Sequence, residues 1–246
     1  MKSLEALLSP IEGESPAGEY LDETLEFEAL RTAFDTNYPF DTGVSEVEGS
    51  DLVADAANWA ELVDLIEVLS GRTKDLFLSI AYARCGIVLA DIDMVERGLM
   101  FTAGLLESYW DEVHPTLEAL DYRGRAGLCE ALAGRGSFCL PFLNMPIVRA
   151  GRIDLTGNQL RDAYANGPSS DVYATVRRVL DEWDVNSKVA LKERLESLHA
   201  TVMRVKRVMD ENGGGDAPDF SVVLDTFDAV TEAYMVLAEL EVSQGD

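Results

Sequence analysis

The sequence predicts a mainly α-helical protein: an antiparallel helical bundle with a small β-hairpin, followed by a second helical segment. Apolar residues recur at helical spacing in several stretches, each bounded by capping residues, glycine or proline. The chain has 246 residues, 47% of them apolar, and only 8 prolines, so it can bury one large core or two modest ones. Near its end, two heptad-patterned stretches flank a glycine-rich linker, which predicts a long helical hairpin.

The first 20 residues are expected to form an arm that buttresses the bundle. Ser9-Pro10 and Ser15-Pro16-Ala17-Gly18 carry proline and glycine, which favour turns and extended backbone. A short helix is expected over 22–36, where apolar residues repeat on one side. The glycine-, serine- and acid-rich stretch over 37–57 is predicted to be the most mobile part of the front half.

Two successive helices form the predicted centre of the bundle. Asn58 is expected to cap the first, with Glu61 three residues on as its capping-box partner. The second, over 74–90, is apolar almost all round. This pattern is typical of a central helix that is covered on most sides.

A third helix is expected to begin at a capping box formed by Asp93 and Glu96 and to close at Pro115. Short turns between the three helices imply antiparallel packing. A further helix is predicted over 124–138, although four glycines lower its propensity. The stretch 147–155 looks like a small β-hairpin that needs helices behind it.

The back of the chain is predicted to be wholly helical. Thr156-Gly157-Asn158-Gln159 is expected to cap a short helix, and another helix is expected over 170–182. Two stretches follow in which apolar residues recur every three or four positions, as in a heptad pattern, and we call each set of apolar residues a seam. The first comprises Leu191, Leu195, Leu198, Val202, Val205 and Met209, and the second comprises Val223, Phe227, Val230, Tyr234 and Leu237.

The two seams, joined by a linker over 212–218, predict a hairpin whose apolar side needs a partner. The hairpin can close on itself, dock against the front of the chain, or pair with a second copy. Packing within the chain is favoured because the linker keeps the two helices at high effective concentration. We therefore expect two domains, 1–165 and 166–246.

The charge of the chain is strongly one-sided. Its formal net charge of −25 would repel nucleic acid and an anionic membrane surface, so neither is expected as a partner. Residues 1–70 hold 17 acidic residues against Lys2 and Arg31. This end can meet a basic partner, but a solvated acidic face is the more common explanation of such a pattern.

The cysteines and the start of the chain predict a cytoplasmic location. Cys85, Cys129 and Cys139 form no pattern with the spacing of metal ligands, which is typical of buried thiols in a reducing compartment. The first residues have too short an apolar run for a secretory signal, and no 18 consecutive residues are apolar.

The segment 109–115, Tyr-Trp-Asp-Glu-Val-His-Pro, contains the residue types of an active site. It can be a ligand pocket, an acid/base pair built from His114 with Asp111 and Glu112, or a helix end stopped by Pro115. The third interpretation is favoured because aromatic and apolar residues at helical spacing usually belong to a core. The sequence otherwise lacks nucleophile, phosphate-loop and dinucleotide motifs, and it predicts no catalytic, cofactor or metal residues.

Four motifs in order resemble the ImpA-type N-terminal domain of the TssA family of type VI secretion proteins. They are the Ser-Pro arm, the Trp59 helix, Lys74-Asp75-Leu76 and the segment 109–115, and the resemblance covers about residues 1–165. The residues that match the family pattern are Pro16, Gly18, Trp59, Lys74, Asp75, Trp110, Asp111, His114 and Pro115. A structural role is expected for most of them. Asp121–Arg125 matches loosely and is assigned no role.

This resemblance implies a noncatalytic assembly protein. Members of the family are expected to contact baseplate, sheath, tube and membrane-complex subunits, and they commonly continue into a C-terminal ring-forming domain. Residues 170–246 are not matched to that domain, which leaves three alternatives: a fragment, a short family member, or a member whose middle domain is the helical hairpin. A homo-oligomer is therefore one expectation, with the hairpin seams as the candidate interface. Two other functions stay open: a helical adaptor unconnected to secretion, and a small-molecule-binding or hydrolytic domain that uses segment 109–115.

Overall fold

The computed structural model describes residues 1–38, 58–150, 153–213 and 215–240. Nearly all of the predicted loop over 37–57, Gly151 between the predicted strands, and residue 214 of the predicted linker lie outside these ranges. The fold is mainly α-helical with one two-stranded antiparallel sheet among the described residues, as the sequence predicts.

The elements follow one another with short connections. In chain order they are α1 (Leu4–Leu8), α2 (Leu25–Asn37), α3 (Trp59–Leu69), α4 (Leu76–Val88), α5 (Ile92–Ser108), α6 (Leu117–Ala133), a π-helical turn (Arg135–Cys139), α7 (Leu140–Asn144), β1 (Pro146–Ala150), β2 (Ile153–Thr156), α8 (Gly157–Asn166), α9 (Asp171–Glu182), α10 (Val185–Gly213) and α11 (Ser221–Leu237). The two strands pair antiparallel, which confirms the predicted β-hairpin.

Two predicted helix starts are confirmed by their caps. The Asn58 side chain accepts a hydrogen bond from the Glu61 N–H at the start of α3. Thr156 and Gln159 form a complete capping box at the start of α8, each side chain bonding the backbone of the other residue. These caps satisfy N–H groups that the first turn of a helix leaves without partners.

The predicted bounds of α5 are wrong at both ends. Asp91 caps the helix by accepting a hydrogen bond from the Met94 N–H (3.0 Å), so Asp93 and Glu96 do not form the expected capping box. Asp91 and Asp93 are both acids that can cap a helix, so the sequence alone did not decide at which residue α5 begins. The helix ends at Ser108 and not at Pro115, because the Tyr109 backbone leaves the helical region (φ −131°, ψ 27°).

Helix α6 begins earlier than the predicted helix over 124–138 and is interrupted. It contains a non-helical residue at Asp121 (φ 51°, ψ −164°), whose carboxylate accepts a hydrogen bond from the Arg123 N–H (2.7 Å) and so caps the second part. It ends at Ala133, and the π-helical turn follows. A single turn, Leu117–Leu120, therefore precedes the main body of the helix.

Helix α4 lies at the centre of the molecule, as its all-round apolar pattern predicts. Every residue from Leu76 to Ile87 is buried. One side of α4 joins a core cluster with α2 and α3, and the other side joins a larger cluster with α5 to α11. At Gly98 of α5 the two helices touch so closely that an added Cβ would lie 2.4 Å from the Ala83 nitrogen of α4.

The heptad seams of α10 and α11 are buried within a single chain. The candidate seam residues Leu191, Leu195, Leu198, Val202, Val205, Phe227, Val230 and Tyr234 are each at most 4% exposed and belong to the larger core cluster. Helix α10 packs against both α11 and α5. Residues on both sides of position 165 share this cluster, and the division into two domains stays a prediction.

Ion pairs border the packing of α10 on α5. Arg204 and Arg207 hydrogen-bond the Glu107 carboxylate (3.1 and 2.9 Å), and Arg194 pairs with Glu96 (3.0 Å) and with Asp93. Because α10 continues to Gly213, Arg204 and Arg207 lie before its last turn, and both contact α5 through Glu107. No helix in the described ranges is long and apolar enough to cross a membrane.

Leu195→Ala should lower the free energy of unfolding by about 2 to 5 kcal/mol, because it opens a cavity where α10 meets its neighbours. Met203→Ala on the exposed side of the same helix is the matched control and should change stability by less than about 0.5 kcal/mol. Urea unfolding followed by circular dichroism measures both. Equal stability of the two variants would contradict the observed packing of the seam.

Candidate functional site

Six of the motif residues meet in one place, although up to 99 positions separate them in the sequence. Lys74 N–H donates to the Ala17 carbonyl (2.7 Å), and His114 N–H donates to the Lys74 carbonyl (2.9 Å). Leu76 N–H in turn donates to the His114 carbonyl (2.9 Å). We call the set Pro16, Gly18, Lys74, Asp75, His114 and Pro115 the motif junction. It joins the N-terminal arm, the turn between α3 and α4, and the segment after α5.

Gly18 lets the arm lie directly on the turn before α4. Its φ is +74°, and an added Cβ would lie 2.2 Å from the Arg72 carbonyl oxygen. The next residue, Glu19, donates its N–H to the same carbonyl (3.1 Å). A residue with a side chain would be both strained and too close at this position, so the glycine serves the attachment of the arm.

Lys74 is a buried cation that binds carbonyl groups. Its side chain is 1% exposed, and its Nζ donates to the carbonyls of Leu7 (2.8 Å) and Ser70 (3.0 Å). These carbonyls lie at the C-terminal ends of α1 and α3, where a positive charge complements the helix dipoles. Burial, together with the Lys2 ammonium group, lowers the pKa of Lys74 to about 8. The side chain thus ties α1 and the arm to the bundle.

Asp75 caps α4 from a buried position. Its Oδ1 accepts a hydrogen bond from the Phe77 N–H (2.7 Å). Burial raises the pKa of Asp75 to about 7, although this hydrogen bond and the charge of Arg31 act in the opposite direction. The carboxyl therefore changes its ionisation close to neutral pH.

His114 is buried under the arm and is separate from the two acids that precede it. Its ring lies 5.2 Å from the ring of Tyr20, and its Nε2 lies 3.4 Å from the Gly18 carbonyl oxygen. Burial lowers the pKa of His114, which favours the neutral imidazole. Asp111 and Glu112 are exposed, and among the described residues no hydrogen bond or ion pair joins either of them to His114. The acid/base arrangement considered from the sequence is not assembled.

Arg125 holds segment 109–115 in place, and the sequence did not single it out. The residue is fully buried on the inner side of α6. Its Nε donates to the Pro115 carbonyl (2.9 Å), its Nη2 donates to the Val113 carbonyl (2.8 Å), and its Nη1 donates to the Trp110 carbonyl. Two weak signals were available from the sequence: the loose family match of Asp121–Arg125, and the position of Arg125 four residues before Cys129 on one helical side.

Trp110 connects the motif junction to the long hairpin. The guanidinium carbon of Arg125 lies 4.8 Å from the centre of the Trp110 ring, which is a cation–π contact. The Trp110 ring also packs against Tyr122 (6.3 Å), and the Tyr122 hydroxyl donates to the Met209 carbonyl of α10 (2.9 Å). The predicted structural role of Trp110 thus corresponds to a bridge between α6 and the back of the chain.

Trp59 lies away from the motif junction, in the smaller core cluster. Its ring packs edge-on against Phe34 (5.3 Å) and Tyr38 (6.5 Å). The Arg84 guanidinium lies 3.6 Å from the centre of the Tyr38 ring, and the Tyr38 hydroxyl donates to the Ser137 carbonyl (2.6 Å). This motif residue therefore anchors α2 and α3 instead of contributing to the junction.

An open groove of about 590 Å³ lies between α2 and α3. Its lining residues are Leu25, Glu28, Ala29, Thr32, Ala33, Thr36, Asn37, Asn58, Glu61 and Leu62, which provide neither an imidazole nor a thiol. Across the described ranges, no three His, Cys, Asp or Glu side chains are grouped so that they could hold a metal ion.

The three cysteines are buried free thiols in the core. Burial raises the pKa of Cys85 and Cys129 to about 12, and that of Cys139 to about 11. The thiolate is the nucleophilic form of cysteine, so these side chains are poorly reactive at neutral pH. They contribute to packing and lie outside the motif junction.

Three comparisons with known proteins agree with the resemblance. Residues 8–134 match the family model described as ImpA, N-terminal, type VI secretion system. Over 207 residues the chain is 28% identical to the type VI secretion system component TssA1 of Pseudomonas aeruginosa, an alignment that covers 74% of this chain and 57% of that protein. The chain thus spans less than two thirds of that relative's length.

The fold is also similar to a solved structure. This structure is the N-terminal domain, including the conserved ImpA_N region, of the TssA component of the type VI secretion system from Burkholderia cenocepacia. The TM-score is 0.73 with 23% sequence identity, and the match covers 97% of this chain and 95% of the other. At this identity the similarity concerns the fold alone.

Arg125→Met should lower the free energy of unfolding by about 3 kcal/mol or more, because three buried carbonyls lose their donor. Arg125→Lys should also be destabilising, since an ammonium group cannot reproduce the planar fork of the guanidinium. Arg123→Met, an exposed arginine two positions away, is the matched control and should stay within about 0.5 kcal/mol. Urea unfolding provides the measurement. Wild-type stability of Arg125→Met would contradict the role assigned to this contact.

Asp75→Asn should become more stable relative to the wild type as pH rises from about 4 to about 7. The pKa of Asp75 is higher in the folded chain than in the unfolded chain, so ionisation above the unfolded value costs stability in the native state. Asparagine keeps an oxygen for the Phe77 N–H and does not ionise. The expected gain at pH 8 is of the order of 4 kcal/mol.

Urea unfolding at a series of pH values measures this gain. Asp91→Asn is the control, because Asp91 caps α5 through the same kind of hydrogen bond from a half-buried position. It separates the effect of carboxyl burial from the loss of a capping charge. A difference between Asp75→Asn and wild type that does not change with pH would contradict the assignment.

Proposed function

Because the chain belongs to the ImpA N-terminal family of type VI secretion proteins, whose model covers residues 8–134, we propose that it is a structural assembly component of this secretion system. In this role it helps to organise the baseplate, the membrane complex and the polymerisation of tube and sheath. Its action is noncatalytic, and its partners are protein subunits of the same machine. The relative from Pseudomonas aeruginosa bears the name of a type VI secretion system component, which supports this assignment.

The use of the motif residues as internal supports is the observation that favours a structural role. The Lys74 ammonium group binds the carbonyls of two helix ends, Arg125 binds three carbonyls, and the His114 ring is buried beneath Tyr20. Side chains that could perform acid/base chemistry are thus engaged in holding the arm and the bundle together. The exposed surface around them is left for contacts with other proteins.

A cytoplasmic location fits this role. Three buried free thiols are compatible with a reducing compartment, and the strongly acidic chain would be repelled by nucleic acid and by anionic lipid. Self-association remains part of the proposal, because assembly components act in multiple copies. Light scattering on the chain tests this point directly, since a mass equal to that of one chain would count against it.

The proposed function predicts contact with at least one baseplate, sheath, tube or membrane-complex subunit encoded in the same genome. Two-hybrid assays and pull-downs with the separate subunits measure this contact. A strain that lacks the gene should stop secreting the tube protein, and the wild-type chain should restore secretion. The absence of contact with every subunit would argue for an adaptor unconnected to secretion.

His114→Ala in the same strain distinguishes a structural role from a hydrolytic one. If the variant folds and restores secretion, His114 serves packing as the geometry suggests. Loss of secretion with unchanged stability and unchanged subunit contacts would instead favour chemistry at segment 109–115.

A further inference from the structure

Helix α6 begins with a turn that exposes two leucines. Leu117 is 38% exposed and Leu120 is 54% exposed, and the intervening Glu118 and Ala119 are exposed as well. Residues three apart lie on the same side of a helical turn, so the two leucines form one small apolar patch. A contiguous apolar patch with polar residues at its border is typical of a site that binds another protein.

Two glycines extend this patch along α6. An added Cβ on Gly124 would lie 2.5 Å from the Leu120 Cβ, so Leu120 lies directly over Gly124, and an added Cβ on Gly127 would meet nothing within 4 Å. We call Leu117, Leu120, Gly124 and Gly127 the α6 outer face. The backbone leaves the helical region at Asp121, between the leucines and the glycines, but the contact of Leu120 with Gly124 places them on one side of α6. Gly127, three residues further on, leaves space on that side for another helix to approach.

The opposite side of α6 is firmly anchored. Arg125, Ala126 and Cys129 are buried there, and Arg125 fixes the segment that leads into the helix. The Asp121 carboxylate caps the main body of α6 immediately after the exposed turn. These contacts hold both ends of the exposed turn, so a partner would lose little affinity to the ordering of this surface.

Exposed carboxylates lie within the turn that carries the two leucines, immediately after it, and in the segment that leads into it. Asp111, Glu112, Glu118 and Asp121 are exposed, and none of them forms a salt bridge with another residue in the part of the chain that the structure describes. Arg123 is the only lysine or arginine between positions 110 and 124. The patch is thus apolar at its centre and negative at its border.

We propose that the α6 outer face docks a basic amphipathic helix of another protein. Apolar residues of that helix would pack on Leu117, Leu120 and the open space at Gly127, and its lysines or arginines would face the bordering carboxylates. A second copy of this chain fits less well at this face, because the carboxylates of the two copies would meet one another across the contact, and the net charge of −25 disfavours an anionic membrane. This proposal rests on the proposed function in one respect: the partner is taken to be a subunit of the secretion system.

The first test uses two synthetic peptides with the folded chain. One is an amphipathic helix of leucine and lysine of about 18 residues, and the other carries glutamate in place of each lysine. Fluorescence anisotropy at about 0.15 M salt measures their binding. The lysine peptide should bind and the glutamate peptide should not. Equal binding of both peptides would overturn the proposal.

Leu120→Asp separates docking on the outer face from general attraction to an acidic protein. It adds a negative charge, so an association based on charge alone would be unchanged or stronger. Docking predicts a loss of at least about tenfold in affinity for the lysine peptide. Leu25→Asp on α2, where leucine is 81% exposed, is the matched control and should leave the affinity within about twofold.

A loss of affinity confined to Leu25→Asp would overturn the proposal and would point to the groove between α2 and α3. Both variants replace exposed residues, so the midpoint of their urea unfolding should be the same as that of the wild type. If light scattering finds a dimer of the wild-type chain that Leu120→Asp dissociates, the occupant is a second copy and the proposal is wrong.

Two-hybrid assays with the separate secretion subunits test whether one of them binds at the α6 outer face. A subunit that contacts the wild type and the Leu25→Asp variant but not the Leu120→Asp variant would support the proposal. Subunit contacts that all survive in Leu120→Asp would overturn the outer face as the docking site while leaving the proposed function intact. If the wild type contacts no subunit, the proposed function fails, whereas the peptide measurements still decide whether the surface binds a basic helix.

Discussion

The buried guanidinium of Arg125 is the interaction on which the arrangement of the front half depends. After α5 ends at Ser108, the chain turns back across the bundle, and the carbonyls of its buried residues have no helical partners. Arg125 supplies donors to three of these carbonyls at once. The segment held in this way carries His114, whose backbone pairs with Lys74, and Lys74 in turn holds the N-terminal arm. A constraint set within α6 therefore extends to the first residues of the chain.

Two buried cations, Lys74 and Arg125, are satisfied by carbonyl oxygens. Such a cation is stable only if the surrounding dipoles are correctly placed, since burying an unpaired charge costs several kcal/mol. Lys74 uses the ends of two helices, and Arg125 uses carbonyls of a turn for which the described residues provide no other hydrogen-bond donor. This arrangement explains why the family motifs resemble an active site in sequence. Lys74, Asp75 and His114 of the motifs, together with Arg125, contact backbone groups at helix ends and in the segment between α5 and α6.

The sequence predicted those parts of the structure that depend on local periodicity. The all-round apolar pattern identified α4 as the central helix, and the seams identified α10 and α11, because each pattern reflects burial along one element. The features it missed depend on pairs distant in the chain. Arg204 and Arg207 bind Glu107 about a hundred positions away, and Arg125 resembles any surface arginine until the carbonyls around it are known. Tyr109 leaves the helical region before Pro115 for a similar reason, because the following segment is held by α6 and not by its own sequence.

The two opposite sides of helix α6 have different roles. Its inner side provides the contacts that fix segment 109–115, so changes there alter the stability of the whole front half. Its outer side is unpaired within the described residues and contributes little to the free energy of unfolding, because Leu117 and Leu120 remain accessible to water. The two sides are nevertheless coupled, because the exposed turn lies between Pro115, which Arg125 holds, and Asp121, which caps the rest of the helix. Loosening the inner side would therefore weaken binding at the outer face by increasing its conformational freedom, whereas a change at the outer face would affect binding without affecting the fold.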